Sequence, residues 1–425
     1  MDSFAFSVLF IVFLSLTLAC RFWLASRQIR FVQQHRAAVP PQFSEKIALE
    51  SHQKAADYTI AKTKIGIVDL FIGALVLLAL TLFGGLQWLS AQLISALGTG
   101  MTYQLGLLMS FTLITGLIDL PLDFYRQFVL EERFGFNKMT LKLYITDMIK
   151  NTLIGALIGL PLAWIVLYLM HSAGDFWWLY TWIVWSGFQL LMMVLYPSVI
   201  APLFNKFKPL EDESLKVRIE GLMQRTGFAS KGLFIMDGSK RSAHGNAYFS
   251  GFGASKRIVF FDTLIEKLAP QEIEAVLAHE LGHFKKKHIV KRITLIFLLS
   301  LAFLALLGYL KQQIWFYTGL GVDPLIIGGN ASNDAMALLL FMLTLPIFTF
   351  FFSPISAITS RKHEFEADAF AAHHTNPNDL VSALVKMYDD NASTLTPDPL
   401  HSTFYDSHPP ASVRINHLNS QPALN

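Results

Sequence analysis

Residues 279–283 read His-Glu-Leu-Gly-His, which is the pattern HExxH. Histidines four positions apart lie on the same face of an α-helix, so His279 and His283 can both reach one Zn²⁺. The glutamate beside the first histidine, Glu280, can then act as a general base on a water held at the metal. The pattern therefore predicts a hydrolytic zinc centre on a helix.

A catalytic zinc needs a third protein ligand and an open position for water. Glu364 and Asp368 lie one helical turn apart, so Glu364 can bind the metal while Asp368 accepts the free N–H of a histidine ligand. Glu366 is a rival ligand about 200° around the helix from Glu364, and His363 is a second rival. The pairing with Asp368 favours Glu364.

The elements around this centre follow from local patterns. The HExxH segment is predicted to be a helix over 270–287, with Pro270 in its first turn, and Gly282 allows another element to approach closely. Acidic residues at 364–368 are expected on a polar helix over 360–373, and a further helix is expected from Asn376 to about 390. His244 and His288 are interpreted as ordinary polar residues. A helix beginning near 212 and ending before 227 is predicted ahead of these, with strands at 232–236, 246–249 and 257–261 and a turn at 251–256.

Composition indicates a membrane protein. Hydrophobic residues make up 53% of the chain and charged residues only 15%, against about 25% charged in a typical soluble domain. The single cysteine, Cys20, excludes an intramolecular disulfide and a cysteine-rich zinc site. No basic face interleaved with aromatic residues is visible, so no nucleic-acid partner is predicted.

Seven apolar runs are long enough to cross a bilayer: 4–23, 65–89, 103–124, 153–170, 176–200, 293–310 and 337–352.

Lysine and arginine are distributed unevenly between the loops. Segments 24–64 and 125–150 are basic, whereas 90–102 and 171–175 have no Lys or Arg and 311–336 has only Lys311. The positive-inside rule then puts the N-terminus outside and the C-terminus, with the HExxH helix, on the cytosolic side. Three acids in or near the spans, Asp69, Asp119 and Asp123, are expected to line an interior or to pair with loop arginines.

The predicted fold is an all-α membrane protein with a small α+β zinc domain on the cytosolic side. The expected parts are 1–202 (spans one to five), 203–292 (the insert with the HExxH helix), 293–359 (spans six and seven) and 360–425 (cytosolic helices supplying the third ligand).

Several motifs together resemble one family, the integral-membrane M48 zinc metalloproteases of the Ste24, or CAAX prenyl protease, type. Besides the HExxH segment and residues 360–368, the similarity rests on segment 128–138 (FVLEERFGFNK), segment 246–249 (NAYF) and the sequence from Ser407-His408-Pro409-Pro410 to Arg414. The resemblance implies that seven helices enclose a large chamber inside the membrane, with one zinc ion at its cytosolic end.

The resemblance also implies roles that residue spacing alone does not assign. Asn246 would hold substrate backbone near the metal, and His408 and Arg414 would stabilise the oxyanion or the substrate carbonyl. Six positions separate His408 from Arg414, so the two can converge only if His408 precedes the helix that carries Arg414.

Substrates of the family are proteins ending in a prenylated Cys-a-a-X sequence, cleaved after the cysteine. The function expected is therefore zinc-dependent removal of the C-terminal tripeptide from such proteins, in the endoplasmic reticulum or the inner membrane depending on the host. One alternative is a quality-control metalloprotease acting on unprenylated membrane proteins. A seven-helix receptor or transporter with a structural zinc site is a further alternative, which the large insert between spans five and six disfavours. Retention of Glu280 argues against a zinc protein without catalysis.

Overall fold

The structure is a computed structural model that describes residues 1–228, 232–250, 257–327, 330–331 and 333–420. Seven helices or helical segments are long and apolar enough to cross a membrane. The first half of the chain is helical throughout, with short π-helical turns at Arg126–Glu131 and Tyr196–Ile200. Its helices are α1 (Ser3–His35), α2 (Leu49–Leu80), α3 (Gly85–Leu97), α4 (Met101–Tyr125), α5 (Leu141–Ser172), α6 (Trp177–Leu195) and α7 (Ala201–Phe204).

Two sequence predictions in this half are corrected. The apolar run 65–89 is not one span, because α2 ends at Leu80 and the chain turns through Gly84, whose φ is +78°. A side chain at Gly85 would lie 2.6 Å from the carbonyl oxygen of Ala79, so this tight turn requires glycine. The basic segment 24–64 is mostly helix rather than loop, since α1 and α2 both extend well beyond their apolar portions.

The insert forms a small α+β domain. Its strands are ordered β1-β2-β4-β3, with β2 parallel to β4 and the other pairs antiparallel, so β3 is an edge strand. The strand β1 was missed by sequence analysis, and the predicted turn at 251–256 lies outside the described residues. The elements are β1 (Phe207–Pro209), α8 (Glu213–Thr226), β2 (Leu233–Met236), β3 (Ala247–Ser250), β4 (Arg257–Phe261), α9 (Asp262–Ile265) and α10 (Pro270–Lys285).

The rest of the chain returns to the membrane twice and then packs on the insert. The last span joins the polar helix that follows it through a single 3₁₀ turn at Phe350–Phe352. The helix that contains Glu364 therefore begins at the membrane and not at residue 360. The elements are α11 (His288–Leu310), α12 (Ile314–Thr318), β5 (Ile326–Ile327), β6 (Asn330–Ala331), α13 (Asp334–Thr349), α14 (Ser353–His374), α15 (Pro377–Asp390), α16 (Pro399–Tyr405) and α17 (Ala411–Asn419).

The spans form a ring rather than a solid bundle. α1 packs on α2 and α13, α11 on α13 and α6, and α5 on α6 and α4. In six spans no more than 22% of the apolar stretch is buried, against 44% in the seventh. Such low burial leaves most of each span facing lipid or an interior space that the helices do not fill. The predicted class, a seven-helix membrane protein with a small α+β domain, is confirmed.

Two polar clusters link the spans to one another, and the zinc domain has a core of its own. At the end away from the zinc domain, Lys311 donates to Asp334 (2.6 Å) and to the carbonyl of Met170 (2.7 Å), joining spans six, seven and four. On the domain side, Arg126 pairs with Asp69 at 2.9 Å and with Asp123 at 3.0 Å. The zinc domain has its own apolar core, which includes Ile219, Phe260, Leu277, Leu384 and Leu418.

Candidate metal centre and active site

The HExxH helix is held firmly at its start. Pro270 occupies the first turn, and the Glu272 carboxylate accepts the N–H of Ala269 at 2.7 Å. Glu272 also accepts from Ser382 (2.7 Å) and Lys386 (2.8 Å), which fastens α15 to α10. The helix ends at Lys285, two residues before the predicted end, because Lys287 adopts a left-handed conformation (φ 58°) that redirects the chain into α11.

The metal centre forms where α10 crosses α14. A β-carbon built on Gly282 would lie 2.9 Å from Cα of Ala367 and 3.1 Å from its carbonyl oxygen. Two helices can approach this closely only where a residue without a side chain lies at the contact. The close crossing brings the histidines of α10 against Glu364 of α14.

Three predicted ligands converge at this crossing. The Nε2 atoms of His279 and His283 lie 3.2 Å apart. Glu364 approaches both rings, with Oε1 at 3.2 Å from His283 Nε2 and Oε2 at 3.5 Å from His279 Nε2. One ligand atom from each residue lies within 4.8 Å of the others, which is the spacing of a shared metal ion.

The residues fit a zinc ion by two observations. The buried Oε2 atom of Glu364 accepts no hydrogen bond from the described residues and has only long contacts, each of 3.5 Å, to His279 Nε2 and Arg414 Nη1, so a metal cation would give it the close partner that it lacks. Burial and Arg414 lower the pKa of His279, yet Asp368 and Glu364 outweigh them and raise the pKa of His279 to about 9. The negative charges of Asp368 and Glu364, which favour a proton on the His279 ring, also favour a divalent cation beside it. Two imidazoles and one carboxylate form the donor set of a catalytic zinc.

Asp368 supports the first histidine. His279 donates from Nδ1 to Asp368 Oδ1 at 2.8 Å, which leaves Nε2 directed at the metal position. Arg414 binds the same carboxylate through Nε (2.9 Å) and Nη2 (2.5 Å) and is itself 5% exposed. The bidentate bond fixes the carboxylate, and through it the ring of His279.

A support for the second histidine was missed by sequence analysis. His283 Nδ1 lies 3.0 Å from Nδ1 of His288, and Nε2 of His288 lies 2.9 Å from Oε2 of Glu366. His288 also stacks on His363, with ring centroids 4.0 Å apart. Glu366 and His363, the two rival ligands, thus meet His288 instead of forming part of the convergent trio. Spacing along the chain gave no signal of this contact, because it depends on the left-handed turn at Lys287.

Two further predicted residues are Glu280, on α10, and His408, on the loop before α17. The half-buried Glu280 makes no hydrogen bond or ion pair with another described residue. The side chain of His408 is 62% exposed, with Nε2 at 3.5 Å from Glu364 Oε1. Its loop is held by Arg361, which donates to the carbonyls of Ser402 and Asp406, each at 2.9 Å. His408 precedes α17, as its convergence with Arg414 requires.

Asn246 lies at the start of the edge strand β3. It is exposed, its Oδ1 accepts the N–H of Ala247 at 2.8 Å, and its carbonyl accepts from Phe261 at 2.9 Å. Two residues earlier, His244 stacks on Phe136 and contacts Glu131 and Asn391, at 3.5 and 3.1 Å. His244 is therefore an anchor for the approach to β3. Among the described residues, no contact joins Asn246 directly to the metal cluster.

Comparison with known proteins extends the similarity over nearly the whole chain. The family described as "CAAX prenyl protease N-terminal, five membrane helices" matches residues 28–206, and Peptidase family M48 matches residues 209–421. CAAX prenyl protease 1 of Saccharomyces cerevisiae is 37% identical over 90% of this chain and 88% of its own length. The Homo sapiens homologue is 32% identical over 94% of this chain and 92% of its own.

A solved structure agrees with these sequence matches. The crystal structure of Ste24p from S. mikatae superposes with a TM-score of 0.89 at 33% identity, covering 97% of this chain and 99% of that chain. A likeness of this extent includes both the ring of spans and the α+β domain. The chain therefore belongs to peptidase family M48, as a multi-pass membrane metalloendopeptidase of the Ste24, or CAAX prenyl protease, type.

Proposed function

We propose that this protease removes the C-terminal tripeptide from prenylated CAAX proteins at a single zinc centre formed by His279, His283 and Glu364. The observation that carries the proposal is the convergence of the His279 and His283 Nε2 atoms on the buried carboxylate of Glu364, whose Oε2 atom accepts no hydrogen bond from the described residues. The curated relatives named CAAX prenyl protease 1 support the choice of substrate.

Glu280 carries the proton transfers. When bound, zinc lowers the pKa of a water and polarises the scissile carbonyl. Glu280 is adjacent to His279 on α10 and is free of partners among the described residues, so its carboxylate can take the proton of the attacking water. The same carboxyl then returns the proton to the leaving amine.

His408 and Arg414 contribute differently to the oxyanion. His408 Nε2 is largely exposed beside Glu364, so it can donate directly to a developing negative charge. Arg414 commits Nε and Nη2 to Asp368, leaving Nη1 at 3.5 Å from Glu364 Oε2. We infer that Arg414 acts mainly by holding Asp368 and by adding positive charge behind the site.

The edge strand gives the substrate a place to bind. Among the described residues β3 pairs only with β4, and an extended peptide can add to such an edge through main-chain hydrogen bonds. Asn246, at the start of β3, would contact the substrate backbone, and the prenyl chain would occupy the interior of the ring. The basic loops support a cytosolic zinc domain.

The decisive experiment uses the purified full-length protein, one farnesylated peptide ending in CAAX and its unprenylated twin. Mass spectrometry should detect loss of the last three residues from the farnesylated peptide, with cleavage abolished by a chelator and restored by Zn²⁺. Glu280→Gln should retain zinc and lose cleavage, whereas the exposed control Glu213→Gln should behave as wild type.

Two outcomes would count against the proposal. Turnover by Glu280→Gln at the wild-type rate would remove Glu280 from the mechanism. Equal or faster cleavage of the unprenylated peptide, at sites other than the last three residues, would favour the quality-control alternative.

A further inference from the structure

A cleft lies between α1 and α2, away from the residues of the metal centre. Its volume is about 590 Å³, within the range of small-molecule sites. Both spans contribute one face, and α13 and α16 add Ile347, His401 and Tyr405. The residues of α16, His401 and Tyr405, make one end of the cleft polar. The rest of the cleft lies between the mainly apolar faces of α1 and α2.

The polar end contains a cation without a counter-charge. Arg21 makes no hydrogen bond or ion pair with any described residue, and its Nε atom is fully buried. Its guanidinium rests on the ring of Phe350, 4.7 Å from the centroid. A guanidinium presents five donors, and leaving them unmatched in a partly buried position is costly.

Two other arginines near the cleft have acidic partners, whereas Arg21 has none among the described residues. On the same helix, Arg27 binds Asp398 through two hydrogen bonds, at 2.9 and 3.3 Å. Asp69, an acid in the cleft wall, is bound by Arg126 at 2.9 Å. The nearby carboxylates are thus engaged elsewhere, and Arg21 is available to an outside anion.

Two further groups at the same end can donate to that anion. Lys62 lines the cleft and makes no ion pair with a described residue; its Nζ lies 4.9 Å from the ring centroid of Tyr58. His401 also lines it, and its buried Nδ1 atom has no hydrogen-bond partner in the described structure. Arg21, Lys62 and His401 thus bring three potential donors to the wall of one cleft, a set that suits a phosphate-like group.

The remainder of the cleft suits a hydrocarbon chain. From Thr63 to Leu77 the α2 wall extends 14 residues, or about 21 Å, which exceeds the roughly 15 Å depth of one bilayer leaflet. Apart from Asp69, which Arg126 neutralises, the lining along this stretch is mainly apolar and includes Leu14, Leu18 and Leu70. Gly73 leaves open space where a side chain would be, since no atom lies within 4 Å of its ideal β-carbon.

We propose that this cleft binds one anionic phospholipid, with its phosphate on Arg21, Lys62 and His401 and an acyl chain along α2. A free phosphate would pair with the cations but leave the apolar part of the cleft along α2 empty. A lipid without net charge would leave Arg21 without a counter-charge. The site involves none of the proposed zinc ligands, so it stands independently of the proposed function.

The test measures lipid retention by native mass spectrometry of the full-length protein released from detergent micelles. The probes are phosphatidylglycerol, phosphatidylcholine and inorganic phosphate. The wild type should retain one phosphatidylglycerol, with phosphatidylcholine bound at least about tenfold more weakly. Inorganic phosphate at millimolar concentration should not displace the retained lipid.

Three variants connect retention to the cleft. Arg21→Gln should weaken phosphatidylglycerol binding by about tenfold or more, whereas Arg30→Gln, an exposed cation on the same helix, should not. Gly73→Leu fills the apolar part without touching the cations and should also weaken binding. Equal retention of both lipids, equal retention by Arg21→Gln and wild type, or displacement by inorganic phosphate would each overturn the proposal. If Arg21→Gln fails to fold, Gly73→Leu decides the matter alone.

Discussion

Gly282 and Ala367 are in backbone contact at the point where the two ligand-bearing helices cross. A β-carbon on Gly282 would come within 2.9 Å of Cα of Ala367, a distance that real side chains do not tolerate. Gly282→Ala should therefore force the helices apart and destabilise the protein by about 1–3 kcal/mol. Zinc affinity should fall with it, since Glu364 lies on the displaced helix.

Thermal unfolding and competition with a metal indicator measure these two effects. Gly155→Ala is the matched control, because open space surrounds the ideal β-carbon at that helical glycine. A Gly282→Ala protein with wild-type stability and zinc affinity would show that the crossing is not tight in solution.

The third ligand can be distinguished from its rival by metal analysis. Glu364→Ala should lose most bound zinc, because it removes the carboxylate that meets both Nε2 atoms. Glu366→Ala should reduce affinity less, since Glu366 contacts His288. The reverse order of zinc contents would assign the ligand to Glu366.

His288 is expected to tune the metal through His283. His288→Phe keeps an aromatic ring but removes the acceptor opposite His283 Nδ1, so zinc affinity should fall about 10–100-fold. His363→Phe is the control, because His363 stacks on His288 without a hydrogen bond to a proposed ligand. Dissociation constants from chelator competition should separate the two variants; equal values would mean that the hydrogen bond between His283 and His288 does not set the zinc affinity.

Arg361 is expected to act on turnover rather than on metal binding. Its two bonds to the carbonyls of Ser402 and Asp406 hold the loop that presents His408. Arg361→Gln should lower kcat by about tenfold or more while zinc content stays at the wild-type level. Lys362→Gln, an exposed neighbour, provides the comparison. A parallel loss of zinc would indicate that α14 itself had shifted.

Glu272 makes stability depend on pH. Burial alone would raise the pKa of the Glu272 carboxyl, but bonds from Lys386, Ser382 and the Ala269 N–H outweigh it and hold this pKa below the usual 4.5. The stabilisation is complete above the unfolded pKa and is lost as pH falls through the folded value. Glu272→Gln should cost about 1–3 kcal/mol at pH 7 and progressively less below pH 4.5.

Melting temperatures recorded at pH 7 and in acid give this dependence, with the exposed Glu213→Gln as a control. A difference between Glu272→Gln and wild type that stayed constant across this range would contradict the linkage.

Sequence patterns predicted most of what depends on local chemistry. The number of spans, the α15 helix with its Asn376 cap and the predicted strand 257–261 all follow from periodicity and capping residues. The break between α2 and α3 was missed because hydropathy does not distinguish a tight glycine turn inside an apolar run. The contact of His288 with His283 depends on how Lys287 redirects the chain, which is a tertiary outcome and not a spacing rule.

The connection of α10 and α14 to the membrane has a mechanical consequence. α10 leads into α11 within three residues, and α14 continues α13 through one 3₁₀ turn. The two histidines therefore lie on a helix connected to the sixth span, and the third ligand lies on a helix connected to the seventh. We therefore expect a change in the tilt of the sixth span against the seventh, as a change in bilayer thickness would impose, to act on the gap between His283 and Glu364.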